Sequence, residues 1–192
     1  MGLRRKPKKV FIISGPSGTG SDSVIEGLEK TGYFNRVITT VTRPRRPLER
    51  ESKPYYFVTV ERFKRLIAED AFIEWAVVYG DYRGCTKAEI KRLLAGRKPI
   101  IWKVDWQGVQ TIKRLLPQTI AIFIAPPSFS VLEERLKQRG QDSSQTIKER
   151  KKFSQEWLKH TDIYDYTVVN EQDRLDQTIE QVQTIIGREL KS

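Results

Sequence analysis

Apolar and polar positions along the chain alternate between short β-like runs and helical stripes. Val10-Phe11-Ile12-Ile13 predicts a first strand over 9–14, and Val24, Ile25 and Leu28 at helical spacing predict a helix to about residue 30. The β-branched run RVITTVTR (36–43) reads as one strand ending at Pro44, followed by a charged, proline-rich loop over 43–54. YYFVT reads as a short strand, VERFKRLIAED as an amphipathic helix with Phe63, Leu66 and Ile67 on one face, and FIEWAVVY as a strand. TKAEIKRLLAG predicts a helix closing at Gly96, PIIWKVDW a strand, and 107–115 a helix. TIAIFIA is apolar almost throughout, as a parallel strand buried on both faces must be. Helices over about 128–139 and 144–160, a strand at DYTVVN and a helix over 173–190 complete the pattern. Trp75, Trp106 and Trp157 read as packing residues.

Strands that alternate with helices predict an α/β fold with a parallel core sheet. The 192 residues fit a single domain, without internal repeats or low-complexity linkers. The stretch from 35 to 90, with short strands around one helix, breaks the alternation and reads as an inserted subdomain carrying a second substrate. No apolar stretch reaches the roughly 20 residues needed to span a bilayer. MGLRRKPKKV has no apolar segment of signal-peptide length behind its basic start, and Lys6 breaks the myristoylation pattern. One cysteine (Cys85) and one histidine (His160) exclude an intrachain disulfide and argue against a Cys/His zinc site, which suits a cytoplasmic protein. A net charge of +11 points to polyanionic partners, either small phosphates or nucleic acid; the RRKPKK run reads as a tail with at most a minor nucleic-acid contact.

The stretch VFIISGPSGTGSDSVIEGLEK carries the first chemistry. A strand enters a glycine turn, Gly15-Pro16-Ser17-Gly18-Thr19-Gly20, and a helix leaves it, so backbone N–H groups converge on an anion at a helix N-terminus. The spacing is that of G-x-x-x-x-G-K-[ST], but Ser21 stands where the lysine belongs, followed by Asp22 and Ser23.

Together with SGPSGTG, the segments TRPRRP…YYFV, FIEWAVVYGDYRG, VDWQGVQ, IFIAPPS, LEERLKQRG and YDYTVVN, in this order, make the chain resemble the guanylate kinase family over about residues 9–187. The resemblance implies a P-loop kinase fold. Its core lies over about 9–34, 91–134 and 160–190, its nucleotide-monophosphate-binding subdomain over about 35–90, and its helical lid over about 135–159. It implies transfer of the ATP γ-phosphate to GMP, with dGMP as the next candidate acceptor, and Mg²⁺ as cofactor. It puts the GMP phosphate on Arg43, Arg46 and Tyr55, where two guanidinium forks suit a monophosphate. It also puts the guanine edge on Glu74 and, close to the base, Thr39, Cys85 and Asp105. Tyr82 and Arg83 complete the implied GMP site, Arg83 standing where the family usually has a phosphate-binding tyrosine. Arg135, Arg139 and Arg150 match lid arginines over the transferring phosphoryl group. Asp22 and Ser23 fall near the implied Mg²⁺ position.

The departures define the alternatives. Ser21 and Asp22 replace the usual Lys-Ser, Cys85 replaces a hydroxyl residue, and Lys103 stands in place of an acidic residue on the WKVDW strand. Lys103 therefore reads as a lysine moved from loop to strand, in exchange with Asp22. The competing reading is a catalytically inactive guanylate-kinase-like module that binds phosphorylated or protein ligands. A third is a kinase for another phosphorylated substrate. Monomer and homodimer remain open.

Overall fold

Val10–Ser14, buried at all five positions, form strand β1 at the centre of the molecule. The computed structural model of the chain describes residues 8–46, 49–138 and 144–192, the side chains of 144–148 excepted. Parallel neighbours flank β1 on both sides. β2 (Asn35–Arg36) pairs with β8 (Ile100–Trp102), and β9 (Ile120–Ala125) with β10 (Tyr166–Val169), giving the order β10-β9-β1-β8-β2.

Because side chains alternate along a strand, an all-apolar strand needs a cover on each face. Phe11 and Ile13, with Ile101, Ile122 and Ile124, pack against α1 (Ser21–Glu29) and α7 (Leu175–Lys191) through Val24, Ile25, Leu28, Val182 and Ile186. Val10, Ile12, Ile100 and Trp102 face the other way. They meet Ile90 and Leu93 of α3 (Lys87–Ala95) and Val109 and Ile112 of α4 (Trp106–Leu115). The result is a parallel α/β core.

The run 36–43, expected as one strand, is split between two sheets. β2 ends at Arg36 in the core, and β3 (Thr39–Val41) begins a second sheet with β4 (Arg50–Glu51), β5 (Pro54–Phe57), β6 (Phe72–Val78) and β7 (Asp81–Thr86). Val37 still donates to Ile101 O of the core at 2.9 Å, whereas the Ile38 N–H is taken by the Glu89 carboxylate of α3 at 3.0 Å. A buried side chain thus ends the ladder where β-branched residues alone predict its continuation. The second sheet has the order β4-β5-β3-β7-β6, with β7 antiparallel to both β3 and β6. α2 (Val60–Ala68) is capped by Thr59, whose hydroxyl accepts from Arg62 N at 3.2 Å, and lays Phe63 on Phe72 with ring centroids 4.3 Å apart.

α5 (Phe129–Gln138) and α6 (Ser144–Leu158) follow β9, and a 3₁₀ turn over Thr161–Ile163 leads to β10. Trp157 is buried and Trp106 stacks on His160 at 3.8 Å, but Trp75 is 46% exposed, because alternation along β6 turns it away from Glu74 and the interior. No helix among the described residues is long and apolar enough to cross a membrane.

Candidate active site

The glycine turn joins β1 to α1 and is fastened from several sides. Gly18 and Gly20 adopt φ of +95° and +89°, the left-handed region open mainly to glycine. A Cβ on Gly20 would also lie 2.3 Å from Asn170 Nδ2. Asn170, at the end of β10, donates to Thr19 O at 2.8 Å and accepts from Thr178 Oγ1 at 2.9 Å. Thr19 is fully buried beneath the loop, its hydroxyl donating to Pro16 O at 2.9 Å. Gly15, Pro16, Ser17, Gly18, Gly20, Ser21, Asp22 and Ser23 line the cavity above.

That cavity, about 430 Å³, extends from the loop to the second sheet. It lies beyond the C-terminal ends of β1 and β8, where parallel α/β sheets collect ligands. The second-sheet end supplies Thr39, Arg43, Arg46, Tyr55, Glu74 and Arg83, and the core supplies Lys103 and Asp105. Tyr82 and Cys85 are not among the lining residues. Tyr82 packs against Phe63 and Trp75 (5.3 and 6.0 Å between centroids). Cys85 is fully buried, with its thiol directed at Thr86 O (3.6 Å) and pushed up in pKa by burial.

Two sub-sites differ in chemistry. At one, Arg43 makes a two-pronged pair with Glu49, a residue the sequence reading did not single out, and its guanidinium lies 5.0 Å from the Tyr55 ring centroid. Glu49 also accepts from Arg46 N at 2.9 Å; burial alone would raise its pKa, but these contacts outweigh it and hold the carboxyl below its ordinary range. At the other, Glu74 is 7% exposed, and its pKa is pushed up to about 8 by burial and by the charge of Asp105, while the Cys85 backbone N–H pulls the other way. Asp105 itself caps α4, accepting from Gly108 N at 2.9 Å. Burial raises its pKa, against the N–H groups of Gly108 and Gln107 and the charge of Arg83. Arg83 Nε is buried and has no hydrogen-bond partner among the described residues.

Cations also close over the loop. Arg150 donates to Ser17 Oγ at 3.1 Å and lies over the Tyr79 ring at 5.3 Å. Arg135 donates to Asn170 O at 3.0 Å and to Gln172 Oε1 at 3.2 Å. Lys103 pairs with Asp22, whose second oxygen meets Arg36 at 3.3 Å. Arg36, Tyr79 and Asn170 are further additions to the site. Asn170 ends the YDYTVVN segment and could have been flagged there, whereas Arg36 carries no local signal. Arg139 lies outside the described residues.

A glycine phosphate loop at one end and a carboxylate-and-arginine pocket at the other define a P-loop kinase that brings two phosphorylated molecules together. A family model described as "Guanylate kinase" matches residues 7–189, and the chain belongs to that family. The guanylate kinase of Francisella tularensis subsp. holarctica (strain LVS) is 42% identical over 178 residues, covering 90% of this chain and 93% of the relative. That of Xylella fastidiosa (strain Temecula1 / ATCC 700964) is 39% identical over 163 residues, covering 84% and 80%. The crystal structure of guanylate kinase from Anaplasma phagocytophilum matches with a TM-score of 0.76 at 27% identity, covering 95% of this chain and 86% of that one.

Proposed function

We propose that this protein transfers the γ-phosphate of ATP to GMP, giving ADP and GDP, with dGMP as a further acceptor. The observation that carries the reading is the shared cavity: a buried carboxylate, Glu74, at one end and the loop amides at the other. In its ionised form Glu74 accepts from guanine N1–H and N2–H₂ together, a pattern adenine does not offer. Thr39 and Asp105 flank it, and Arg43, Arg46, Tyr55 and Arg83 take the acceptor phosphate. The loop amides, at the N-terminus of α1, take the donor phosphates. An acceptor phosphate oxygen attacks the γ-phosphorus while the bond to the β-phosphate oxygen breaks, and ADP leaves. Phosphoryl transfer asks for positioning and charge neutralisation rather than a protein nucleophile, and Arg135, Arg150 and Arg139 are assigned to it. The Cys85 backbone N–H bears on the Glu74 carboxylate, whereas Tyr82 packs with Trp75 on the face away from it.

The residues fit Mg²⁺, which commonly takes one or two carboxylates plus substrate phosphates. Asp22 and Ser23 line the cavity at the first turn of α1 and would hold the ion. Bound there, it neutralises phosphate charge. We place the protein in the cytoplasm with small nucleotides as partners and no membrane. Residues 4–7 of the basic run lie outside the described residues.

The missing loop lysine is the one observation favouring an inactive binding module. A coupled assay with ATP, Mg²⁺ and GMP, dGMP, AMP or IMP separates the readings. Turnover with GMP far above AMP is expected; GMP binding without turnover would support the module, and equal or absent binding of GMP and AMP would sink the guanine assignment.

A further inference from the structure

In a loop of the form G-x-x-x-x-G-K-[ST], the lysine reaches the β- and γ-phosphates. Here the loop offers only partial charges from its amides, and Asp22 brings a negative charge to the helix end that faces them. A lysine nevertheless stands at the loop. Lys103 is the first residue beyond β8, its side chain is 25% exposed, and its ammonium sits on Asp22. Two features hold it there. Ile12 of β1 is opposite Trp102 of β8, so Lys103 enters the cavity where β1 turns into the loop. The residue after it is fixed by a relay: Trp157 Nε1 donates to Tyr164 OH (2.9 Å), which meets Ser14 Oγ (3.0 Å), which donates to Val104 O (2.7 Å). Asp22 is fixed in turn by Arg36, which also bonds Glu29 at 3.1 Å.

We infer that Lys103 is the cation that grips the donor phosphates in this enzyme, supplied from the strand end instead of the loop, with Asp22 as its resting counter-anion. The inference rests on the kinase reading above and names a residue for its donor half. When a polyphosphate fills the loop, its oxygens replace Asp22 on the Lys103 ammonium, while Asp22 stays on Arg36 with one oxygen released towards the metal position. The exchange is easy because a pair 25% and 46% exposed contributes little net stability. A polyphosphate also presents several charges to the same ammonium. Ser21, 5% exposed and uncharged, cannot take this part.

The test is calorimetric titration of the full chain with ATP and, without metal, with inorganic tripolyphosphate; GMP is titrated separately. Lys103→Ala and Lys103→Met are expected to weaken both polyphosphates by roughly tenfold or more, as loss of a charge-assisted contact does, and to leave GMP within about twofold. The triple variant Ser21→Lys/Asp22→Ser/Lys103→Ala, which returns the lysine to the loop, is expected to recover tripolyphosphate binding. If a folded Lys103 variant binds tripolyphosphate as tightly as the parent, the inference is overturned, and so it is if the triple variant recovers nothing. A chain that fails to bind GMP sinks the kinase reading, and the tripolyphosphate titration still decides Lys103 by itself.

Discussion

Arg150 of α6 reaches across to Ser17 of the glycine loop and donates to its hydroxyl at 3.1 Å. α6 is thereby tied to the glycine loop. Its guanidinium also covers the Tyr79 ring, and Tyr79 contacts Phe153 of the same helix at 4.9 Å between centroids.

On the proposed kinase reading, Arg150 is the cation that meets charge developing on the transferring group. Removing one pre-organised donor costs on the order of 10²–10³ in rate. Arg150→Ala is expected to lower kcat by that factor in steady-state kinetics, with GMP affinity by calorimetry unchanged. A variant with full kcat would remove Arg150 from the transfer step.

With Glu74 as the proposed guanine-edge carboxylate, GMP binding is expected to depend on pH. With its pKa at about 8 in the ligand-free protein, it is mostly protonated at neutral pH and must ionise before it can accept two guanine donors. GMP affinity is expected to rise by about tenfold per pH unit below pH 8 and to level off above it. Calorimetry from pH 6.5 to 9 should show that slope, and Glu74→Gln should abolish it. Stability runs the opposite way. The folded pKa lies above the ordinary value of 4.5, so this group's contribution is complete below 4.5 and is lost as pH rises through about 8. Thermal melts of parent and Glu74→Gln should diverge over that window.

The Arg43–Glu49 pair has side chains only 9% and 15% exposed. Deleting one partner of a fully buried pair costs about 3–5 kcal/mol. Arg43 keeps Pro44 O at 2.9 Å and the Tyr55 ring, however, and faces the cavity, so the low end of that range is the expectation here. Glu49→Ala is expected to lose stability on that scale in urea unfolding and to weaken GMP, because Arg43 and the Arg46 amide lose their common anchor. Stronger GMP binding would mean that Glu49 competes with the phosphate instead.

Asn170 is expected to act on the donor side alone. Its amide satisfies Thr19 O and the Thr178 hydroxyl, both in buried surroundings. Asn170→Ala leaves Thr19 O unpaired, at about 1–3 kcal/mol, while the Thr178 hydroxyl keeps Arg174 O at 3.2 Å. The variant should raise the KM for ATP more than that for GMP. An unaltered ATP KM would show that the loop keeps its shape without this contact.

The core sheet was legible because its strands are apolar at nearly every position: VFII, PIIW and TIAIFIA cannot lie at a surface. The strand break after Arg36 was not, because it depends on a carboxylate fifty-one positions from Ile38. β7 was not legible for a local reason: GDYRG carries two glycines, which weaken a strand pattern. Within the cavity, residues of the glycine turn, TRPRR, FIEWA and VDW were singled out in the sequence and line it, whereas Tyr79 was passed over although it lies inside the FIEWAVVYGDYRG motif. Glu49, Arg36 and Asn170 act through partners distant in the chain or through an ordinary-looking charge, and no periodicity records that. Trp75 shows the converse. An aromatic in a strand suggests packing, but its neighbour Glu74 faces inward, so the pleat sends the indole out.

Glu89 ties the outgoing chain at Ile38 to the returning chain at Thr86, whose hydroxyl accepts from the Glu89 N–H at 3.2 Å. The two chain crossings between the core and the second sheet are therefore pinned side by side. At the far end of β6, Tyr79 lies against Arg150 and Phe153 of α6, so the second sheet is held from that side as well. Two residues before Ile38 along the backbone stands Arg36, which holds Asp22, so the pinned crossing and the donor loop share one short segment.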